Sequence, residues 1–187
     1  TVPQQITKRI ITMRASVPTG KTTLLIDSID AAFHHYQHPI FIENLTTITS
    51  ALGIWLRKNN YLDDAQISFE CSYRNAKNDR HKLILTNSLA LLARQLDDLD
   101  KAKTLYTTAK KLARASQQKN VLAIIGNNQG MIALEEGKVT LAEQHFRKAL
   151  IGYQNLDKRS GQISAGLNLL FIFLIQEEQV NFERLYE

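Results

Sequence analysis

Three segments of this 187-residue chain follow one template. NYLDDAQISFECS (Asn60–Ser72), DDLDKAKTLYTTA (Asp97–Ala109) and GKVTLAEQHFRKA (Gly137–Ala149) each carry an aliphatic residue and an alanine three later. An aromatic follows four after that, and a small residue three further on. The alanines are Ala65, Ala102 and Ala142, spaced by 37 and then 40 residues. Upstream of each stands a close-packing pair: Leu52-Gly53, Leu89-Ala90 and Gln129-Gly130. Leu170-Phe171 takes that place in a fourth unit, which runs out at Glu187. Self-similarity at such a period signals stacked supersecondary units, each unable to bury its apolar face alone.

The units are helical. Between the breaks KNN (Lys58–Asn60), KNDR (Lys77–Arg80), LDD (Leu96–Asp98), SQQKN (Ser116–Asn120), EEGK (Glu135–Lys138), LDKRSG (Leu156–Gly161) and QEEQ (Gln176–Gln179), apolar residues recur at three and four, not two. Leu85, Leu89, Leu92, Ala93 and Leu96 show the spacing, as do Leu141, Ala142, His145, Phe146, Ala149 and Leu150. With 8 Gly and 3 Pro the chain is short of the turns an all-β fold needs. Breaks this short make neighbouring helices antiparallel, about eight to ten of them. Ile6–Met13 and Thr22–Gln37 read as further helices, the latter with Leu25, Ile29, Ala32, Phe33 and Tyr36 on one side. Residues 1–40 are expected to form an N-terminal helical cap or degenerate repeat. Residues 41–187 form the repeat region, with units at about 42–79, 80–119, 120–159 and a truncated 160–187.

The template resembles the tetratricopeptide repeat over roughly Ile42 to Glu187. Gly53, Ala65, Ser72, Ala90, Ala102, Ala109, Gly130, Ala142 and Ala149 match that family's small helix-crossing positions, and Phe69, Tyr106 and Phe146 match its aromatic. Gln129, Phe171 and Glu183 depart from it. The period is longer than usual and is similar to that of the roughly 40-residue members found in bacterial regulators and in kinesin light chain. The resemblance implies an all-α fold: a right-handed α–α superhelix, a solenoid of three to four helix-turn-helix units. Small residues let paired helices approach, and the aromatic fills the gap to the next unit.

One polar constellation follows the repeat. Two residues before the first member of each pair stand Ser50, Asn87, Asn127 and Asn168. Four residues on come Ile54, Leu91, Met131 and Ile172, and three further Arg57, Arg94, Leu134 and Ile175. At about 100° per residue these positions share one helix face, opposite the packing pair. In the family resembled, that face lines a concave groove that holds a peptide or a partner helix. Asn amides can donate to a backbone C=O and accept from a backbone N–H. Arg57 and Arg94 would favour a partner with an acidic group. The competing reading is structural, with the Asn residues bonding neighbouring helices and stiffening the stack.

A different chemistry is hinted at by ASVPTGKT (Ala15–Thr22), which fits the loose form of a phosphate-binding loop. Such a loop sits between a buried strand and a helix of a parallel sheet. KRIITM (Lys8–Met13) and PIFIE (Pro39–Glu43) are the only strand candidates, and two strands cannot make that fold. Pro18 lacks the N–H that would face a phosphate, and Ala15 replaces the first glycine. The stretch reads better as a turn with Thr22 or Thr23 capping a helix.

Asp27, Asp30, His34 and His38 are spaced like metal ligands, yet they fall on the solvent side of their helix. His145 lies among apolar repeat positions and is expected between helices. Cys71, the single cysteine, is expected to be a buried inert thiol; alone it forms no internal disulfide and fixes no compartment. Net charge is +5, with Lys101, Lys103, Lys110, Lys111, Arg114 and Lys119 crowding one region. No aromatics interleave for base stacking, so a solvated basic face is expected, not a nucleic-acid site. The run LNLLFIFLI (Leu167–Ile175) is too short to span a bilayer, so no membrane insertion is expected.

No nucleophile-and-base pair stands out. The reading is therefore a non-enzymatic scaffold without metal or cofactor, binding a protein or peptide through Ser50, Ile54, Arg57, Asn87, Leu91, Arg94, Asn127, Met131 and Asn168. It is expected within a larger bacterial signalling or regulatory protein, and to self-associate through its truncated last unit. The alternative is a ligand-sensing domain controlling a cyclase, kinase or DNA-binding output. The remote one is a nucleotide-binding protein of the phosphate-loop type.

Overall fold

The computed structural model describes residues 29, 31–35 and 38–176. Among them regular structure is entirely helical. The helices are α1 (Pro39–Lys58), α2 (Leu62–Asn75), α3 (Asp79–Gln95), α4 (Leu99–Ala115), α5 (Lys119–Glu135), α6 (Val139–Gln154) and α7 (Arg159–Ile175). The first helices of the units, α1, α3, α5 and α7, begin 40 residues apart. The chain is an all-α repeat of helical hairpins, of the α–α solenoid class, and divides into two compact units, Thr1–Asp97 and Asp98–Glu187. The octapeptide Ala15–Thr22, the segments Ile6–Met13 and Lys8–Met13, Asp27, Asp30 and Glu183 lie outside the described residues. Pro39–Glu43, a candidate strand by its sequence, is the first turn of α1. Proline there loses nothing, because the first N–H groups of a helix have no intrahelical partner.

The polar breaks work as stereochemical stops. Asn60, Asp97, Gln117, Gly137 and Asp157 all have positive φ, between 49° and 73°. This left-handed residue reverses the chain so that carbonyls of the last helical turn are satisfied from beyond it. Leu56 O accepts from Tyr61 N at 3.0 Å, Ala113 O from Gln118 N at 2.8 Å, Ala133 O from Lys138 N at 2.8 Å and Tyr153 O from Lys158 N at 2.9 Å. Asn, Asp and Gly tolerate that conformation best; Gln117 adopts it without their advantage. The next helix is capped at two breaks by a side chain. Asn78 accepts from His81 N at 2.8 Å and Asp98 from Lys101 N at 3.0 Å.

In the first unit, α1 and α2 pair around Gly53 and Phe69, both buried. A Cβ on Gly53 would lie 2.6 Å from the Phe69 ring, so the ring rests directly on bare backbone. The ring also belongs to a cluster with Leu45, Leu52, Leu56, Leu85 and Leu92, which joins both helices to α3. Ile29 and Phe33 reach the same cluster from helical residues ahead of α1. Three of the polar groups inside bond to the backbone: Thr46 and Thr49 donate to Ile42 O and Leu45 O at 2.7 Å, and Ser68 donates across to Thr49 O at 2.8 Å, whereas the buried Ser72 hydroxyl has no hydrogen-bond partner among the described residues.

The second unit repeats the arrangement. A Cβ on Gly130 would lie 2.5 Å from the Phe146 ring. Phe146 clusters with Ala133 and Ala142 and with Leu169, Ile172 and Phe173 of α7. Tyr153 lies against Gly161, and with Ala123, Ala149 and Ala165 it forms a second cluster. The aromatic of the template thus has two contacts, the glycine of its own hairpin and the apolar face of the following helix.

Adding one methyl group separates these glycines from ordinary ones. Gly53→Ala and Gly130→Ala should each lower stability by about 1–3 kcal/mol through overpacking. Gly166→Ala, where nothing lies within 4 Å of the new Cβ, should raise it by up to about 1 kcal/mol through helix propensity. Urea unfolding of the three variants checks the ranking.

Candidate functional site

The face expected to carry binding residues can be followed in each unit separately. In the first unit, Ser50 and Ile54 line a cleft of about 220 Å³ between α1 and α3, with Thr46, Thr47, His81 and Ile84. Thr46 and Thr47 turn their hydroxyls back onto Ile42 O and Glu43 O. Thr47 Oγ1 also lies 3.3 Å from His81 Nε2, and the cleft lining is otherwise largely apolar. Arg57 lies near the C-terminal end of α1. Its Nη1 donates to Gln95 Oε1 at 3.2 Å, and Gln95 Nε2 donates to Asn60 Oδ1 at 3.4 Å. On α3, Asn87, Leu91 and Arg94 are half-buried. The Oδ1 of Asn87 is buried and accepts no hydrogen bond. A lone buried acceptor costs about 1–3 kcal/mol unless a donor reaches it.

In the second unit the asparagines pair. Asn168 Nδ2 donates to Asn127 Oδ1 at 3.0 Å, and Asn127 is buried. This is an amide contact between neighbouring helices, the structural role weighed against the groove role. Met131 is partly buried against the Phe146 cluster.

The fourth repeat differs in register from the sequence reading. Core positions recur at 40 residues: Leu85, Ile125 and Ala165, then Leu92, Ile132 and Ile172, are all buried. That offset puts Leu167, 59% exposed, at the place of Asn87 and Asn127. Asn168 sits one residue further on. Ile172, read as a surface position, is fully buried, while Phe171, read as its packing-pair residue, is 53% exposed.

A larger cleft, about 500 Å³, opens in the second unit among α4, α5 and α6. Its basic lining is Lys110 and Arg114 from α4, Lys119 from α5, and His145 and Lys148 from α6. Leu122, Ala123, Gly126, Ala149, Gly152 and Leu156 supply the apolar wall. Burial, then the Arg114 and Lys148 charges, push the Lys110 ammonium below its ordinary value. Burial, followed by Lys110 and Lys148, likewise lowers the pKa of His145. His145 is half-buried among cations instead of packed into the apolar interior expected from its neighbours in sequence. Half of the basic crowd, Lys110, Arg114 and Lys119, faces this cleft. Lys103 instead bridges Asp100 and Glu136 at 2.7 Å each. The sequence reading missed His145 and Lys148 as cleft residues. The available signal was Gly126, where a side chain would meet only ordinary contacts and the cleft is left open.

Among the described residues no group of three or more His, Cys, Asp or Glu side chains is placed to hold a metal ion. Cys71 is a buried free thiol. No helix among these residues is long and apolar enough to cross a membrane.

No family model matches the chain. No curated protein matches it either. Solved structures do. The crystal structure of BtubC (BKLC) from P. vanneervenii superposes with a TM-score of 0.70 at 19% identity, over 89% of this chain and 68% of the other. This similarity is one of fold. PilF from Pseudomonas aeruginosa aligns over 98% of both chains at 11% identity with a TM-score of 0.46, too low to support an argument.

The asparagines should respond unequally to truncation. Asn127→Ala strands the Asn168 amide and should lower stability by about 1–2 kcal/mol. Asn87→Ala removes an unsatisfied acceptor and should leave stability unchanged or raise it. Thermal melts of the two single variants decide between these outcomes.

Proposed function

We propose that this chain is a non-catalytic module that binds a protein or peptide along the exposed face of its first helices. The cleft between α1 and α3 carries the reading, because it is apolar and lined by Ser50 and Ile54, two positions that the repeat pattern marks for binding. Asn87, half-buried on α3 at the same repeat position, adds an amide able to pair with a peptide backbone. Arg57 and Arg94 favour a segment with a carboxylate. On this reading the chain is a long-period repeat domain, serving as the docking part of a larger bacterial signalling or regulatory protein. The resemblance of its template to that repeat type supports this placement.

Peptides selected from a random library against the whole chain test the proposal. They should be enriched in Asp and Glu. Ile54→Glu with Arg57→Glu should weaken them at least about tenfold, equivalent to about 1.4 kcal/mol, with the melting temperature held. Peptides that bind the variant equally well would refute the assignment.

Self-association belongs to the same reading. Ile163, Leu167, Phe171 and Leu174 are all more than half exposed and form one stripe on α7. Apolar patches of this kind attract partners. Light scattering should show concentration-dependent association that Leu167→Gln with Phe171→Gln abolishes; a wild-type chain that stays monomeric up to high concentration contradicts it.

A further inference from the structure

The cleft among α4, α5 and α6 holds four formal cations, Lys110, Arg114, Lys119 and Lys148, and none of its lining residues is acidic. Asp100 and Glu136 are engaged with Lys103, and Glu143 with Arg147 at 2.7 Å, while Asp157, next to the lining Leu156, forms no ion pair among the described residues. Among the described residues none of the four cations has an ion-pair partner. Only Lys110 has a polar contact, a 3.4 Å hydrogen bond to the amide oxygen of Gln129. Like charges gathered on three helices around this cavity repel one another, and among the described residues no carboxylate pairs with them. Burial first, and then the neighbouring cations, hold the pKa values of Lys110 and His145 below their ordinary values.

The cavity is also the right size. At about 500 Å³ it lies within the range of small-molecule sites, about 300–1,000 Å³. Its floor is open by sequence. A Cβ on Gly126 would meet Ala149 at an ordinary 3.8 Å, so packing does not demand glycine there. The missing side chain leaves room in the cleft. No Phe, Tyr or Trp lines the cavity, and His145 is its one aromatic side chain. Charge and hydrogen bonding remain as the means of recognition. Arg114 offers a planar fork matched to two oxygens, and the lysines offer point charges.

We propose that this cleft is a binding site for a phosphate group carrying two or more negative charges. The group is held between Arg114 and Lys110 on one side and Lys148 and Lys119 on the other. It goes beyond the peptide-docking face, whose residues do not line it. Such a group can come from a free phosphorylated small molecule or from a phosphorylated side chain of a peptide.

Titration calorimetry on the whole chain with inorganic pyrophosphate, with a phosphoserine peptide and with its unphosphorylated counterpart tests the site. At least one phosphorylated probe should bind saturably at constant ionic strength. Tighter pyrophosphate binding assigns the site to a small molecule, and tighter phosphopeptide binding to a modified partner. Lys148→Gln with Arg114→Gln should weaken the favoured probe at least tenfold. Both side chains are exposed enough for the fold to tolerate their loss. Gly126→Leu should weaken it similarly with every charge kept, which separates a shaped site from a merely basic surface. The proposal fails if neither phosphorylated probe binds saturably, if the unphosphorylated peptide binds as well, or if binding survives both the charge and the Gly126 variants.

Discussion

The contact on which the hairpins depend is an aromatic ring laid on a glycine. Phe69 on Gly53 and Phe146 on Gly130 occupy the same place in two repeats. A ring of this size removes much apolar area from water, worth about 1.5–3 kcal/mol, but only if the opposing helix presents no side chain. Glycine inside a helix costs about 1 kcal/mol relative to alanine, and the ring packed against it offsets that loss. Because the other edge of each ring reaches the next helix, the same contact that closes a hairpin also provides the floor for its successor. The first-helix faces are placed by this stacking.

Polar chemistry is then distributed by what the packing leaves over. Inside the first unit, Thr46, Thr49 and Ser68 satisfy themselves on backbone carbonyls, and the cleft between α1 and α3 is lined largely by apolar groups. Within the second unit two asparagines satisfy each other. The basic cleft is different in kind, since its cations come from three helices and have no carboxylate partner among the described residues. Elsewhere in the same unit such charge is dispersed into ion pairs, as at Glu136 and Glu143.

How much of this was legible in the sequence depended on whether the signal was periodic. The Leu–Ala–aromatic–small template located α2, α4 and α6, because each of its positions answers to one packing contact. The breaks located the turns, because left-handed stops favour Asn, Asp and Gly. The register of α7 was read one residue out. Asn168 looks like the next member of the Asn series, and LNLLFIFLI is apolar on every side, so no polar face marks the phase of the helix. Pro39–Glu43 resembled a strand because five residues are too few to show a helical period. The basic cleft was not legible: Lys110 and Lys148 lie 38 residues apart, and only the packing of three helices brings them to one cavity. His145 was misplaced for the same reason, since apolar neighbours along a chain do not determine what faces a residue across it.

The left-handed stops at Asn60, Asp97, Gln117, Gly137 and Asp157 have a kinetic consequence. Each is closed by hydrogen bonds spanning no more than five residues, so a turn can form before any distant part of the chain is in place. Topologies dominated by such short-range closures have low contact order and fold quickly. Nucleation can begin at any hairpin and spread to its neighbours. A chain emerging from the ribosome could therefore order itself hairpin by hairpin, without waiting for its far end.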